Sequence, residues 1–144
     1  MHDETLVKLC ENNELIDGIK DATADISRPP RLLRLIGSGF SQLSGEDATA
    51  LPYLAAGGHG CISVSSNIVP NLLSEMHNSR KNGDFKNAFN IHLKLINFHD
   101  AMFCESSPGP VKFAAEKIGL CVSEARLPIV CLLYTSPSPR DGLL

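Results

Sequence analysis

Apolar and polar residues follow two rhythms along the chain. Leu6, Val7 and Leu9 stand among charges over residues 3–10, the spacing of a short amphipathic helix, and Glu11-Asn12-Asn13 breaks it. The run Leu15-Ile16-Asp17-Gly18-Ile19-Lys20 is short, mostly apolar and closed by a cation, which predicts a buried strand. Small and polar residues over 21–27 then form a strand-to-helix loop. Pro29 and Pro30 fit the first turn of a helix, where a missing N–H is harmless. Leu32, Leu33, Leu35 and Ile36 give that helix an apolar face, and Gly37 or Gly39 ends it.

The rhythm repeats. Residues 40–44 predict a weak strand, Gly45-Glu46-Asp47 a loop and residues 48–56 a helix. Gly57-Gly58-His59-Gly60 stops that helix, since glycine takes left-handed dihedrals without steric cost. Residues 61–64 read as a third strand and Ser65-Ser66-Asn67 as its loop. A helix over 69–82 turns Leu72, Leu73 and Met76 inward; after Gly83 a longer one covers 84–99, with Phe85, Phe89, Leu93 and Ile96 as its apolar stripe. Residues 102–109 form a loop, and a last helix covers 110–118, again with proline in its first turn.

Strands alternating with helices imply an α/β fold of parallel strands joined by right-handed crossovers. Part of a (β/α) barrel and an open doubly wound sheet both satisfy that order. The barrel is favoured because each predicted strand ends in polar groups at its carboxyl end: Lys20, then Ser44 to Asp47, then Ser65 to Asn67. That is the end at which barrels build active sites.

Composition narrows the class. The chain has 144 residues, 43% of them hydrophobic, with 13 Lys+Arg against 16 Asp+Glu and a formal charge of −3. Such a length can bury a core. Mild acidity speaks against nucleic acid as a partner, which calls for clustered Lys and Arg. No apolar run approaches the roughly 20 residues that cross a bilayer, and Met-His-Asp-Glu-Thr lacks the regions of a signal peptide. Cys10, Cys61, Cys104, Cys121 and Cys131 form no Cys-x-x-Cys pair. They read as reduced thiols, which points to the cytoplasm and away from a disulfide framework or zinc site.

Lys20 has the sharpest chemistry. Burial at the end of an apolar strand disfavours the ammonium form, and a neutral amine can attack a ketone to give a Schiff base. The position equally suits a lysine that reaches solvent or pairs with Asp17 or Asp21. Other candidates read as structural. His92 and His99 lie seven apart on one helix face but lack a third ligand, so packing is expected and no metal. Arg28, Arg31 and Arg34 recur every third residue, as on a solvated helix face. Gly37-Ser38-Gly39 lacks the rest of a phosphate-binding fingerprint, and Cys61 reads as a small core residue.

Around Lys20 the chain resembles a family. Gly18-Ile19-Lys20-Asp21-Ala22-Thr23, with Asp25 and Ser27-Arg28 following, resembles the Schiff-base lysine motif of pyruvate-dependent class I aldolases. Ser44-Gly45-Glu46-Asp47-Ala48 with Leu51-Pro52, then Gly57-Gly58-His59-Gly60-Cys61-Ile62-Ser63-Val64 and Asn67, resembles one branch, the 4-hydroxy-tetrahydrodipicolinate (dihydrodipicolinate) synthases. Pro110-Val111-Lys112, Gly119-Leu120 and Arg126-Leu127-Pro128 resemble that branch's C-terminal helical region, so the likeness is collinear over residues 3–130.

The resemblance implies the C-terminal half of a TIM (β/α)8 barrel: its last three strands in residues 1–68, then the last barrel helix and C-terminal helices in 69–130. It implies that Lys20 forms an imine with pyruvate, without a cofactor, and that the derived enamine attacks aspartate 4-semialdehyde. Ile62 would contact pyruvate through its backbone. Gly45 and Glu46, with Asp47, would shape the second substrate's site, although they equally suit a turn with acidic residues at a helix start. An N-acetylneuraminate lyase or a 2-keto-3-deoxy-sugar-acid aldolase would keep Lys20 and differ in the second substrate; residues 57–64 resemble the synthases more.

Family patterns often have glycine where this chain has Ala24. The family resemblance also implies a homotetrameric parent whose threonine pair, tyrosine, arginine and lysine-feedback site lie in a part absent from this chain. The chain alone is then expected to be an inactive fragment or a non-catalytic folding unit. Residues 131–144 have no periodicity, and the string from Cys131 to Asp141 resembles a translated sequencing adapter; a disordered C-terminus would have the same composition.

Overall fold

The computed structural model describes residues 1–129, so the segment 131–144 set apart by its sequence lies outside the described residues. Helix α1 (Asp3–Asn12) leads into strand β1 (Gly18–Asp21), α2 (Arg28–Ile36), β2 (Ser41–Ser44), α3 (Ala50–Ala55) and β3 (Gly60–Cys61). A 3-10 turn (Ser65–Asn67) then precedes α4 (Pro70–Lys81), α5 (Phe85–Met102) and α6 (Gly109–Lys117). The strands form one parallel sheet in the order β1-β2-β3. Among the described residues, no helix is long and apolar enough to cross a membrane.

Two strands are shorter than the sequence pattern predicts, each for a local reason. Asn13 captures the Leu15 N–H at 3.0 Å through its side chain and accepts from the Ile16 N–H through its carbonyl. This turn delays β1 to Gly18 and leaves Leu15 exposed. Gly18 has no room for a side chain, since a Cβ there would stand 2.6 Å from the Ser41 carbonyl oxygen. Strand β3 ends after Cys61 because the Asp47 carboxylate takes the N–H groups of Val64 and Ser65, at 2.9 and 3.1 Å, and bends the chain into the 3-10 turn.

Two apolar clusters hold the layers. Leu6, Leu32 and Phe40 pack with Ile16, Ile19 and Ile36, joining α1 and α2 to the sheet. Leu51, Leu73, Met76, Ala88, Ile91 and Leu95 join α3, α4 and α5. Of the four residues of the predicted apolar face of α2, Leu32 and Ile36 face inward while Leu33 and Leu35 are exposed. Leu72 on α4 is likewise exposed, beside buried Leu73 and Met76.

The predicted face of α5 is reversed. Phe85, Phe89 and Leu93 are more than half exposed, and the buried face consists of Ala88, Ile91, His92, Leu95, His99 and Met102. Ala88 is buried against α4, and His99 meets the Ser65 hydroxyl inside, so the face with histidines packs in place of the one with phenylalanines. Helix α5 starts at Phe85 because Asp84, the first residue of the predicted helix, caps it by accepting from the Asn87 N–H at 3.0 Å.

Candidate active site at the carboxyl end of the sheet

In a parallel ladder paired residues share a face, and successive residues alternate between faces. Lys20 pairs with Leu43 and Leu43 with Gly60. The same alternation carried past the ladder brings Gly45 and Ile62 to that face, at the carboxyl ends of their strands. Asp21, Ser44 and Cys61 pair across the opposite face, which also carries Ile19 and Gln42.

The Lys20 side chain lies across Gly45, where a Cβ would come within 2.9 Å of its Cε and 3.0 Å of the Ala22 Cβ. Gly45 is fixed there because its N–H donates to the Asp21 carbonyl at 2.7 Å, continuing the ladder. Ile62 is anchored in the same way: its N–H donates to the Ser44 carbonyl at 2.8 Å, while the residue is 45% exposed. Lys20, Gly45 and Ile62, singled out separately in sequence, therefore converge on one face.

Burial of Lys20 is not observed. The residue is exposed, because the layer of helices packs on the other face of the sheet. Nor does it pair with Asp17 or Asp21: every ion pair found among the described residues uses Arg28 or Arg31.

Glu46 adopts the turn geometry that was the alternative to a substrate role. The Ser44 hydroxyl donates to the Glu46 carbonyl at 2.9 Å and accepts from the Glu46 N–H at 3.1 Å. The Glu46 carboxylate in turn accepts from the Ala48 N–H at 3.4 Å. Asp47 is buried and serves as the clamp on Val64 and Ser65.

The opposite face holds an ion network that sequence periodicity did not reveal. Arg28, 4% exposed, donates to Asp21 at 3.0 Å and to Asp3 at 2.7 Å. The expected solvated arginine face is thus corrected. Arg28 is the first residue of α2, below the end of β1, where the buried carboxylate of Asp21 needs a cation; Arg31 pairs with Asp3 and Asp25, and Arg34 is exposed.

Burial opposes ionisation of Asp3, yet its hydrogen bonds from Arg28 and Arg31 outweigh that and hold its carboxyl below the usual range. Tyr53 lies under the sheet, where burial and then the Asp21 charge push its phenol up to about 12. A Cβ on Gly58 would come within 2.3 Å of the Tyr53 ring, so that glycine is a close approach as well as part of the helix stop.

Between the faces runs the loop of residues 22–27, tied by its own side chains. Asp21 accepts from the Thr23 hydroxyl at 2.8 Å and the Thr23 N–H at 3.1 Å; Asp25 accepts from the Ser27 hydroxyl at 2.6 Å. These bonds hold Ala24 at φ 59°, the positive-φ non-glycine among the described residues. Cys61 is half-buried, and burial, with Asp47 adding, pushes its thiol up to about 12, in keeping with a packing role. Among the described residues, no cluster of three or more His, Cys, Asp or Glu side chains could hold a metal.

The chain matches the Dihydrodipicolinate synthetase family over residues 1–135, which includes the first residues of the segment that sequence pattern sets apart. It is 47% identical over 126 residues to the 4-hydroxy-tetrahydrodipicolinate synthase of Gluconobacter oxydans, covering 88% of this chain and 42% of that one. Among solved structures it resembles the dihydrodipicolinate synthase of Aquifex aeolicus, with a TM-score of 0.86, 34% identity and coverage of 97% of this chain and 46% of that one. The 4-hydroxy-tetrahydrodipicolinate synthase of Methylacidiphilum fumariolicum SolV is similar at a TM-score of 0.87 and 33% identity, over 98% and 45% of the two chains.

This chain thus spans less than half the length of the relatives it matches. Its three parallel strands and their helices are part of a TIM barrel. Fold, motif order and similarity agree: the chain belongs to the dihydrodipicolinate synthetase family.

Proposed function

We propose that the chain carries the imine-forming part of a 4-hydroxy-tetrahydrodipicolinate synthase, a lyase of lysine (diaminopimelate) biosynthesis. The observation that carries this reading is the Lys20 side chain laid across Gly45, on the face shared with Ile62, at the carboxyl end of a parallel sheet. The Lys20 amine attacks the ketone carbon of pyruvate and water leaves, giving the imine. Loss of a proton from the methyl carbon gives an enamine, whose carbon attacks the aldehyde of aspartate 4-semialdehyde. No cofactor takes part.

Ile62 acts through its main chain. Its N–H is committed to Ser44, so the group it offers is its carbonyl. A carbonyl only accepts, which fits the hydroxyl of the carbinolamine or the N–H of the iminium and not the carboxylate of pyruvate. Gly45 leaves space for the lysine, and the Glu46 turn borders the site of the second substrate. Proton transfers at the imine require positioned acids and bases. Those groups belong to the rest of a barrel that this chain, under half the length of its relatives, does not span; alone, it does not turn over. The whole protein is a cytoplasmic homotetramer in this reading.

The test is borohydride reduction of the full-length protein in the presence of pyruvate, followed by peptide mass spectrometry. A reduced pyruvate adduct on the peptide containing Lys20 is expected, and its absence would sink the assignment. Turnover of pyruvate with aspartate 4-semialdehyde, assayed against cleavage of N-acetylneuraminate, then decides the second substrate.

A further inference from the structure

Two buried histidines on α5 take no part in the proposed chemistry, yet they lie against both loops that border it. His99 and Ser65 are 1% and 0% exposed, with the Ser65 hydroxyl oxygen and His99 Nδ1 2.8 Å apart. His92, two turns earlier on the same face, is also buried and lies close to the backbone of Ala48, in the turn that continues from Gly45 and Glu46; its Nδ1 has no hydrogen-bond partner among the described residues. The ring centroids stand 6.0 Å apart. Ser65 lies three residues beyond Ile62, and its N–H and that of Val64 are held by the Asp47 carboxylate. One face of α5 thus supports the Ile62 segment on one side and the Gly45 turn on the other.

The groups around these rings come from every packed element. The β2–α3 turn supplies Glu46 and Asp47, and α5 itself supplies Asp100 and the second ring. Helix α4, which also packs on α5, carries the half-buried His77, whose neighbouring charges are Arg80 and Asp47. The 3-10 turn contributes the Ser65 hydroxyl, and α6, packed on both α5 and that turn, contributes buried Val111 and Ala115. Burial disfavours a charged His99 more than Asp47, Asp100 and Glu46 favour it, so the ring is held below the usual histidine range. His92 is pushed the same way by burial and then by His99.

We propose that His99 is a positioning residue for this site: as the neutral ring it holds Ser65, and with it the main chain leading from Ile62, and on protonation it releases that segment. The consequence for pyruvate rests on the reading of Lys20 and Ile62 given above. A protonated ring donates at both nitrogens, and His99 Nε2 has no hydrogen-bond partner among the described residues. The carboxylate that attracts the ring most is Asp47, whose Oδ2 is already bonded to Val64 and Ser65. Turning Asp47 toward a charged ring takes it from those N–H groups.

The sign follows from linkage. The folded state binds the proton less readily than the unfolded state, so the packing is complete above the ordinary histidine value of about 6.5 and weakens as pH falls below it toward the folded value.

The experiment uses the full-length protein and follows KM for pyruvate, kcat and solvent exchange of the Val64 and Ser65 amides between about pH 5.5 and 8. In wild type, KM is expected to rise below about pH 6.5, and the protection of both amides, taken relative to a free chain at the same pH, is expected to fall. His99→Gln keeps a hydrogen-bonding group toward Ser65 but cannot titrate; it is expected to hold KM within about twofold at pH 8 and to flatten the acid rise. Ser65→Ala and His99→Ala are expected to raise KM and both exchange rates about tenfold at pH 8, with kcat changed less.

An acid rise preserved in His99→Gln, or unchanged KM and exchange in Ser65→Ala, overturns the proposal. Should His99→Ala fail to fold, the other two variants still decide it. Failure of the pyruvate reading has a different signature: no Lys20 adduct in wild type at any pH, with amide exchange still reporting on His99.

Discussion

The two faces of the sheet both carry charged or polar residues, but they treat them in opposite ways. On one face Asp21, Gln42 and Ser44 are buried under helices, and their partners are supplied from within: Arg28 for Asp21, the Pro29 carbonyl for Gln42, the Glu46 turn for Ser44. On the other face Lys20 has no ion-pair partner among the described residues and stands exposed over a glycine. Adjacent residues of one strand, Lys20 and Asp21, thus meet different fates solely through the alternation of the pleat. A buried charge must be neutralised where it lies, whereas a group at an open strand end can be kept free for a substrate. The closed face fixes the strand on which the open face presents its amine.

The largest effect is expected on the closed face. Arg28→Met leaves Asp21, 2% exposed, without its cation. Loss of one partner from a buried pair costs about 3–5 kcal/mol, to be read as a drop in urea midpoint. Asp21→Asn combined with Arg28→Met removes both charges and should recover a large part of that loss. If Arg28→Met alone is as stable as wild type, the closed face does not depend on its ion network.

Gly45→Ala tests the open face. Its new methyl competes with the Lys20 Cε at 2.9 Å, and the end of a flexible chain gives way more readily than the Tyr53 ring would at Gly58. Pyruvate trapping at Lys20 should fall about tenfold, equivalent to about 1.4 kcal/mol in the barrier. Gly58→Ala should instead destabilise the fold by about 1–3 kcal/mol through overpacking, read as a lower urea midpoint, while trapping is retained. Equal trapping by Gly45→Ala and wild type would remove the role given to that glycine.

The smallest effect belongs to the loop joining the faces. Ala24 occupies the left-handed region at φ 59°, where a Cβ costs about 1–2 kcal/mol, while glycine's freer unfolded chain returns part of the gain. Ala24→Gly should therefore stabilise by about 1 kcal/mol, measured by thermal or urea unfolding. A destabilised variant would mean that the Asp21 and Asp25 hydrogen bonds do not set this backbone conformation.

Much of the fold was legible because its signals are local. The order of strands and helices followed from runs of apolar residues, from Pro29 and Pro30 entering α2, and from the glycines after α3. Lys20 was legible because it closes an apolar run within a motif resembling a known family. Less local features were not. The run 61–64 has strand propensity, but a carboxylate from a distant turn, Asp47, takes its N–H groups. The arginines of α2 have the spacing of a surface face, yet a single buried aspartate draws Arg28 inward.

By itself, the sequence determined an alternating α/β chain, its parallel strands and the presence of a lysine at one strand's carboxyl end, because dihedral preferences and apolar period act between near neighbours. Only the tertiary structure decided which of two possible stripes on α5 turned inward, and that His92 and His99 rather than Phe85 and Phe89 are buried. It likewise decided that Lys20, Gly45 and Ile62 share a face while Asp21 is sealed beneath it. Such choices depend on partners far apart in the chain: hydrogen-bonding groups that make a buried histidine acceptable, and a neighbouring strand that sets which side of the sheet each residue occupies.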